Sequence, residues 1–235
     1  LHKNKKILAI IPARIGSKRL FQKNLKELNG RPLFCWSVLS ALNSLYVDEV
    51  VVSSDSDEIV KISKEYGVSA PFLRPKNLAT DNIRGFFAIK HAIDFYKNEL
   101  NKNFDYIVCL QPSSPLRTAE DIDYAIEYLV NKKADSVVSV CESTHSTEWI
   151  NTLPKNFSMN NFLADSVRFK RSQELKKEYR LNGALYIAKT KKLLKEGTFF
   201  LKSNVFAYQM PVTRSIDIDD IVDFKLAEVL MNELE

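Results

Sequence analysis

Glycine is scarce in this chain: six in 235 residues, at positions 16, 30, 67, 85, 183 and 197. No two stand close enough to spell GxGxxG, GxxxxGK or GxSxG. A Gly-rich dinucleotide-binding turn, a P-loop and a nucleophile elbow are therefore excluded. Cys35, Cys109 and Cys141 are an odd number of thiols without paired spacing. They fit reduced core residues of a cytoplasmic protein better than disulfides or zinc ligands. His2, His91 and His145 form no HExxH. The longest apolar run, Ile7 to Pro12, falls far short of the roughly 18 residues of a membrane span. The basic stretch Leu1 to Lys6 is followed by too short an apolar run, without a cleavage pattern, for a signal peptide. Charge of one sign is also lacking: 34 basic and 29 acidic residues leave +5. That surplus suits a nucleotide or small anionic substrate, and it is too weak and too evenly spread to argue for nucleic acid.

What is present is globular. Apolar residues make up 45% and charged residues 27%, and the length suits one domain over 1–235. Strand and helix signals alternate. A continuous apolar run at 7–11 and short apolar-rich segments at 49–53, 106–110 and 136–140 read as buried strands. Helices are expected at 32–45, 57–66, 86–100 and 118–130, with Pro32 opening the first and Gly67 closing the second. The expected fold is α/β: a mainly parallel Rossmann-like sheet with helices on both faces. The pattern breaks over 142–179, which reads as an inserted arm, then resumes with a strand at 184–188 and a final helix at 221–234.

Ligands of parallel sheets sit at the carboxyl ends of the strands. The rule points at three loops: 12–24, 53–57 and 111–117. The first carries four cations, Arg14, Lys18, Arg19 and Lys23. Gly16 lets its backbone turn and present N–H groups to an anion. Arg14 can grip phosphate oxygens bidentately, while Lys18 and Lys23 supply point charges. A basic loop is often only solvated. Its position after the first strand favours the anion site.

Ile11-Pro12-Ala13-Arg14, with Gly16-Ser17-Lys18 and Lys23-Asn24, resembles the signature loop of the CMP-sialic acid synthetases, the acylneuraminate cytidylyltransferases. The likeness continues through Val52 to Ile59, Arg74-Pro75 with Leu78-Ala79-Thr80-Asp81, and Leu110-Gln111-Pro112-Ser113-Ser114-Pro115-Leu116-Arg117. It ends with Arg180-Leu181-Asn182-Gly183-Ala184-Leu185-Tyr186 and Ser215-Ile216-Asp217-Ile218-Asp219. Together these motifs, in family order, span residues 11 to 219.

The resemblance implies transfer of CMP from CTP to the anomeric hydroxyl of a nine-carbon 2-keto sugar acid, releasing pyrophosphate. It implies a nucleotide site of Arg14, Gly16, Ser17, Lys18, Lys23, Asn24 and Arg74, with Lys23 stabilising charge at the reacting phosphate. Asn24 would orient the ribose or α-phosphate, and Arg74, held extended by Pro75, would read the base. It implies a sugar site of Gln111, Ser113, Ser114, Tyr179, Arg180, Asn182 and Arg171. A triphosphate needs a divalent metal, Mg²⁺ or Mn²⁺. Asp217 and Asp219, two apart on an extended segment, would turn both carboxylates to one face, with Ile216 and Ile218 on the other. Asp220 is then better placed than Asp219 to cap the last helix. The arm 142–179 carries many apolar residues, and the family precedent makes it the contact of a homodimer with shared pockets.

The chain departs from the family pattern in three places. Phe21 stands in the region of a usual proline, and Asn82 to Phe86 replace a serine-rich stretch. Ser172, with Arg171 beside it, stands where an arginine is usual. The acceptor stays open among sialic, pseudaminic, legionaminic and Kdo-type acids, and a catalytically silent paralogue is a different reading.

Overall fold

The computed structural model describes residues 5–17, 19–80 and 82–234. Lys18 and Asp81, named above, lie outside them. The chain runs β1 (Ile7–Pro12), a small hairpin of β2 (Glu27–Leu28) and β3 (Arg31–Pro32), α1 (Leu33–Leu42) and β4 (Glu49–Ser53). Then come α2 (Asp57–Glu65), α3 (Phe86–Asn98), β5 (Tyr106–Leu110), α4 (Ala119–Asn131) and β6 (Ser136–Glu142). It closes with β7 (Tyr179–Lys189), α5 (Thr190–Glu196), β8 (Val205–Gln209) and α6 (Ile221–Leu234).

Six of the strands form one sheet in the order β4-β1-β5-β7-β6-β8. Ile7 to Ile11 are fully buried because both faces of β1 are covered. The two-residue period of a strand divides this run. Ile7, Ala9 and Ile11 pack with Phe34 and Val38 of α1 and with Ile122 and Ile126 of α4. Leu8 and Ile10 pack with Ile89, Ile93 and Tyr96 of α3. The expected helix and strand positions agree with the structure to within a few residues. The mainly parallel sheet is also present, with one reversed strand: β7 is antiparallel to both β5 and β6. It also begins five residues before the run at 184–188. Two elements escape a reading by pattern. The short helix α5 is mostly polar, and β8 is a half-exposed edge strand parallel to β6.

The antiparallel pairing of β6 with β7 explains the break at 142–179. Glu142 pairs with Tyr179, so the segment between them is the tip of one long hairpin. It leaves from the same end of the sheet as the loops that follow β1, β4 and β5. Short 3-10 turns at Thr147–Trp149 and Ser172–Glu174 are its regular pieces among the described residues. Glu178 closes its base by accepting from Ser146 Oγ at 2.8 Å and from Thr147 N at 2.7 Å.

The loop after β5 is held by a buried cation. Arg117 is 2% exposed. Its Nη1 donates to the Ala184 carbonyl at 2.6 Å, and its Nη2 donates to Ser37 Oγ at 2.7 Å. One side chain thus ties the loop to β7 and α1. Burial pushes the guanidinium down to about 10, and nearby Asp121 opposes that shift. Arg117→Ala would leave a cavity and unpaired buried acceptors, and is expected to cost about 3 kcal/mol. Arg117→Met fills most of the volume and removes the desolvation of a charge, so it should lose distinctly less. Urea denaturation of the two variants checks the order.

Candidate active site

The first loop leaves β1 over the carboxyl edge of the sheet and is tied down by its neighbours. Ala13 N donates to the Ser53 carbonyl at 3.0 Å, and Ile15 N to Asp55 Oδ1 at 3.0 Å. Asn24 is buried, and its Nδ2 donates to the Arg14 carbonyl at 2.7 Å. Its amide donor therefore shapes the loop. Arg14 reaches across so that Nη1 donates to the Ala79 carbonyl at 3.3 Å.

The acidic segment after β8 meets this loop. Lys23 Nζ donates to the Ile218 carbonyl and stands 3.6 Å from Asp219 Oδ1. Arg19 Nη1 donates to Asp219 Oδ2 at 2.6 Å. Asp220 takes the capping role expected of it, accepting from Val222 N at 2.8 Å and Asp223 N at 3.1 Å. The Asp219 carboxylate is thereby left to face the cations. Asp217 is driven above its usual 3.8, first by burial and then by the like charges of Asp219 and Asp223, while Ser113 and Lys23 oppose the shift. Asp217 and Asp219 offer two hard oxygen donors, which suits a divalent ion that keeps several waters once Arg19 and Lys23 turn from Asp219 to another anion. Among the described residues, no group of three or more His, Cys, Asp or Glu side chains gathers to hold a metal.

A bulge in β7 makes room for Asp217. Val138 faces Tyr186, but Val140 faces Leu181, so extra residues of β7 lie opposite Ser139. Gly183 sits there at φ +72°, and a Cβ on it would lie 3.2 Å from Asp217 Oδ2 and 3.6 Å from Gln111 Oε1. Asn182 holds the bulge from inside. Its Oδ1 accepts from Ser139 Oγ at 2.6 Å and Ala184 N at 3.2 Å, and its Nδ2 donates to Ser215 Oγ at 2.9 Å. Asn182 is fully buried. The expected sugar contact is corrected: its amide is consumed by the core. Ser114 is also fully buried, its Oγ donating to the Asn182 carbonyl at 3.3 Å, and does not line the cavity described next.

These parts border a cavity of about 840 Å³, within the range of small-molecule sites. One end carries Arg14, Gly16, Ser17, Arg19, Lys23, Asn24 and Asp219, and the middle carries Gln111 and Ser113. The other end carries Arg84, Phe86, Tyr186, Phe199 and Phe200. Sequence reasoning missed Arg84 and these phenylalanines, which have no motif of their own. The double aromatic after Gly197 was the available signal. Arg74, expected to read the base, does not line the cavity: it is buried against the loop after β4, with Nη2 3.8 Å from Asp55 Oδ1, and Nε and Nη2 lack hydrogen-bond acceptors. Tyr179, Arg180 and Arg171 do not line the cavity of their own chain. Arg180 Nη2 instead donates to the Ser215 carbonyl at 3.1 Å, and Arg171 lies exposed on the arm.

A family model described as Cytidylyltransferase matches residues 8–234. The chain is 34% identical over 226 residues to pseudaminic acid cytidylyltransferase of Campylobacter jejuni, covering 96% of each protein. It is 34% identical over 228 residues to CMP-N,N'-diacetyllegionaminic acid synthase of Legionella pneumophila, again 96% of each. With N-acylneuraminate cytidylyltransferase of Escherichia coli it is 37% identical over 223 residues, 94% of this chain and 51% of that protein. Its fold is similar to a solved CMP:2-keto-3-deoxy-manno-octonic acid synthetase complexed with CTP. That match has TM-score 0.69 and 16% identity, and covers 98% of this chain and 100% of the other.

The raised Asp217 gives a signed expectation. Between 3.8 and its higher native value, the unfolded chain has released a proton that the native state still holds, so stability falls as pH rises through that window. Asp217→Asn cannot titrate. Its stability relative to wild type should therefore grow from acid pH upward and level off near neutrality. Urea denaturation of the ligand-free proteins at a series of pH values measures it, and a difference that shrinks as pH rises would contradict the electrostatic account.

Proposed function

The chain belongs to the cytidylyltransferase family and is a nucleotidyltransferase, and from that membership we propose that it transfers CMP from CTP to the anomeric hydroxyl of a nonulosonic acid. The oxygen of that hydroxyl forms a bond to the α-phosphorus as the bond to the β-phosphate oxygen breaks, and pyrophosphate leaves. The observation that carries the reading is the charge layout of the cavity. Arg19 and Lys23 meet Asp219 at one end, with Arg14 beside them, while the other end is aromatic and, among the described residues, carries a single cation, Arg84. A triphosphate suits the first end and a sugar acid with apolar substituents the second. Relatives named for pseudaminic, legionaminic and N-acylneuraminic acids support an acceptor of that class.

In this reading Arg14 grips the phosphates bidentately, and Lys23, already aimed at the acidic segment, meets the charge that grows on the α-phosphate. Bound by Asp217 and Asp219, Mg²⁺ or Mn²⁺ would offset phosphate charge as a Lewis acid. Gln111 and Ser113 face the acceptor sugar. The arm is the contact of a homodimer. Phe157 is 75% exposed and Phe169 90% exposed on it, an apolar area that a second copy would cover. Arg171 and Tyr179 would then serve the partner's cavity, which accounts for their absence from the wall of their own. No helix among the described residues is long and apolar enough to cross a membrane, and the buried, unpaired Cys35, Cys109 and Cys141 suit a reducing cytoplasm.

Incubation with CTP, Mg²⁺ and a panel of pseudaminic, legionaminic, N-acetylneuraminic and Kdo acids, followed by pyrophosphate release, tests the reading. Turnover with a nine-carbon acid is expected, and silence with every acid would overturn it. Lys23→Ala should lower kcat by about 10²-fold with a smaller change in the KM for CTP. A change in KM alone would make Lys23 a ground-state binder. Sedimentation at micromolar concentration should show a dimer, and a fully active monomer would refute the shared pocket.

A further inference from the structure

One ion pair outside the cavity joins two of its walls. Arg214 ends the short turn Val212–Arg214, three residues before Asp217. Its guanidinium forms a fork on Asp121: Nε donates to Oδ2 at 2.9 Å and Nη2 to Oδ1 at 2.8 Å. The Asp121 side chain is 1% exposed and that of Arg214 30%. Asp121 Oδ2 also accepts from Thr118 N at 3.1 Å, within the capping box that starts α4. Thr118 follows directly on the loop that carries Gln111 and Ser113. A single buried carboxylate therefore holds the end of that loop and the start of the acidic segment.

The acidic segment has a second tie on the same loop, from Ile218 N to the Ser113 carbonyl at 2.8 Å. Asn182 and Arg180 also hold Ser215, and Lys23 reaches the Ile218 carbonyl, but none of these bonds runs to the end of the Gln111 loop. A bidentate arginine–carboxylate pair is directional and fixes orientation as well as distance. With the fork before Asp217 and the Ile218 bond after it, Asp217 is held from both sides, and Asp219 directly follows the second tie. Neither Arg214 nor Asp121 lines the cavity, so both act through other residues.

We infer that Arg214 and Asp121 are positioning residues that set the relative placement of the Asp217 and Asp219 carboxylates and thereby the cation affinity of the site. This rests on the reading that those two carboxylates hold a divalent ion. Groups that orient metal ligands from behind typically change metal affinity by about 10- to 100-fold when removed.

Manganese titrations with CTP and no acceptor, read by enhancement of water proton relaxation, test the inference without turnover. Wild type, Asp219→Asn, Arg214→Gln and Arg214→Lys are compared, with thermal unfolding and metal-free CTP binding measured alongside. Arg214→Gln should weaken manganese binding about 10-fold and leave metal-free CTP binding unchanged. Arg214→Lys keeps the charge but loses the fork, so it should fall between Gln and wild type. Should the Gln variant fail to fold, the Lys variant decides by the same titration. Manganese affinity equal to wild type in the folded Arg214 variants, with binding lost in Asp219→Asn, would overturn the inference alone. Unchanged binding in Asp219→Asn would overturn the metal reading and the inference with it.

Discussion

The buried amide of Asn182 is the interaction on which the site depends. It faces three segments at once: Ser139 on β6, its own bulged strand β7, and Ser215 ahead of the acidic pair. A buried amide that loses its partners is costly, so the bulge, the central strand and the acidic segment are held in one arrangement. The bulge in turn turns Gly183 toward Asp217 and Gln111, where no side chain larger than hydrogen fits without movement. A residue with no access to a ligand thereby shapes the space a ligand would use.

Electrostatics divides the cavity. At one end the cations and carboxylates satisfy each other: Arg19 and Lys23 both lie on Asp219, while Asp217 is driven above its usual range by burial and by its acidic neighbours. Exposed pairs such as Arg19 with Asp219 contribute little stability, so they exchange readily for stronger partners. Lys23 is the more confined of the two cations, its side chain 17% exposed against 71% for Arg19. It keeps its direction toward the acidic segment. The aromatic end carries Arg84, its one cation among the described residues, beside Phe86, Tyr186, Phe199 and Phe200.

The hairpin of β6 and β7 links the sheet to the arm. A reversed strand in an otherwise parallel sheet allows a direct return, and here the return is long. The arm rises from the edge of the sheet where the ligand loops lie, with its base closed by Glu178. Val167 is buried there, whereas Phe157 and Phe169 point outward. The arm therefore keeps large apolar side chains in contact with solvent in the single chain.

Much of this was legible in the chain itself. The apolar-rich segments at 7–11, 49–53 and 106–110 read as buried strands, since short runs rich in β-branched residues suit a sheet covered on both faces. Capping followed from residue type at Asp220, because a side-chain oxygen near a helix start meets unpaired N–H groups. The basic loop and the acidic pair also declared themselves, because charge in a motif is a local property. Asn182 and Ser114 did not: whether an amide or hydroxyl meets a ligand or the core depends on what the fold packs against it. The same holds for Arg214, whose partner Asp121 lies 93 residues away, and for Phe199 and Phe200, which carry no pattern of their own. Sequence determined which segments are buried and where charge collects, since periodicity and residue chemistry act along the chain. Tertiary structure alone decided which polar groups are spent on each other, because that is set by contacts between segments that no local pattern specifies.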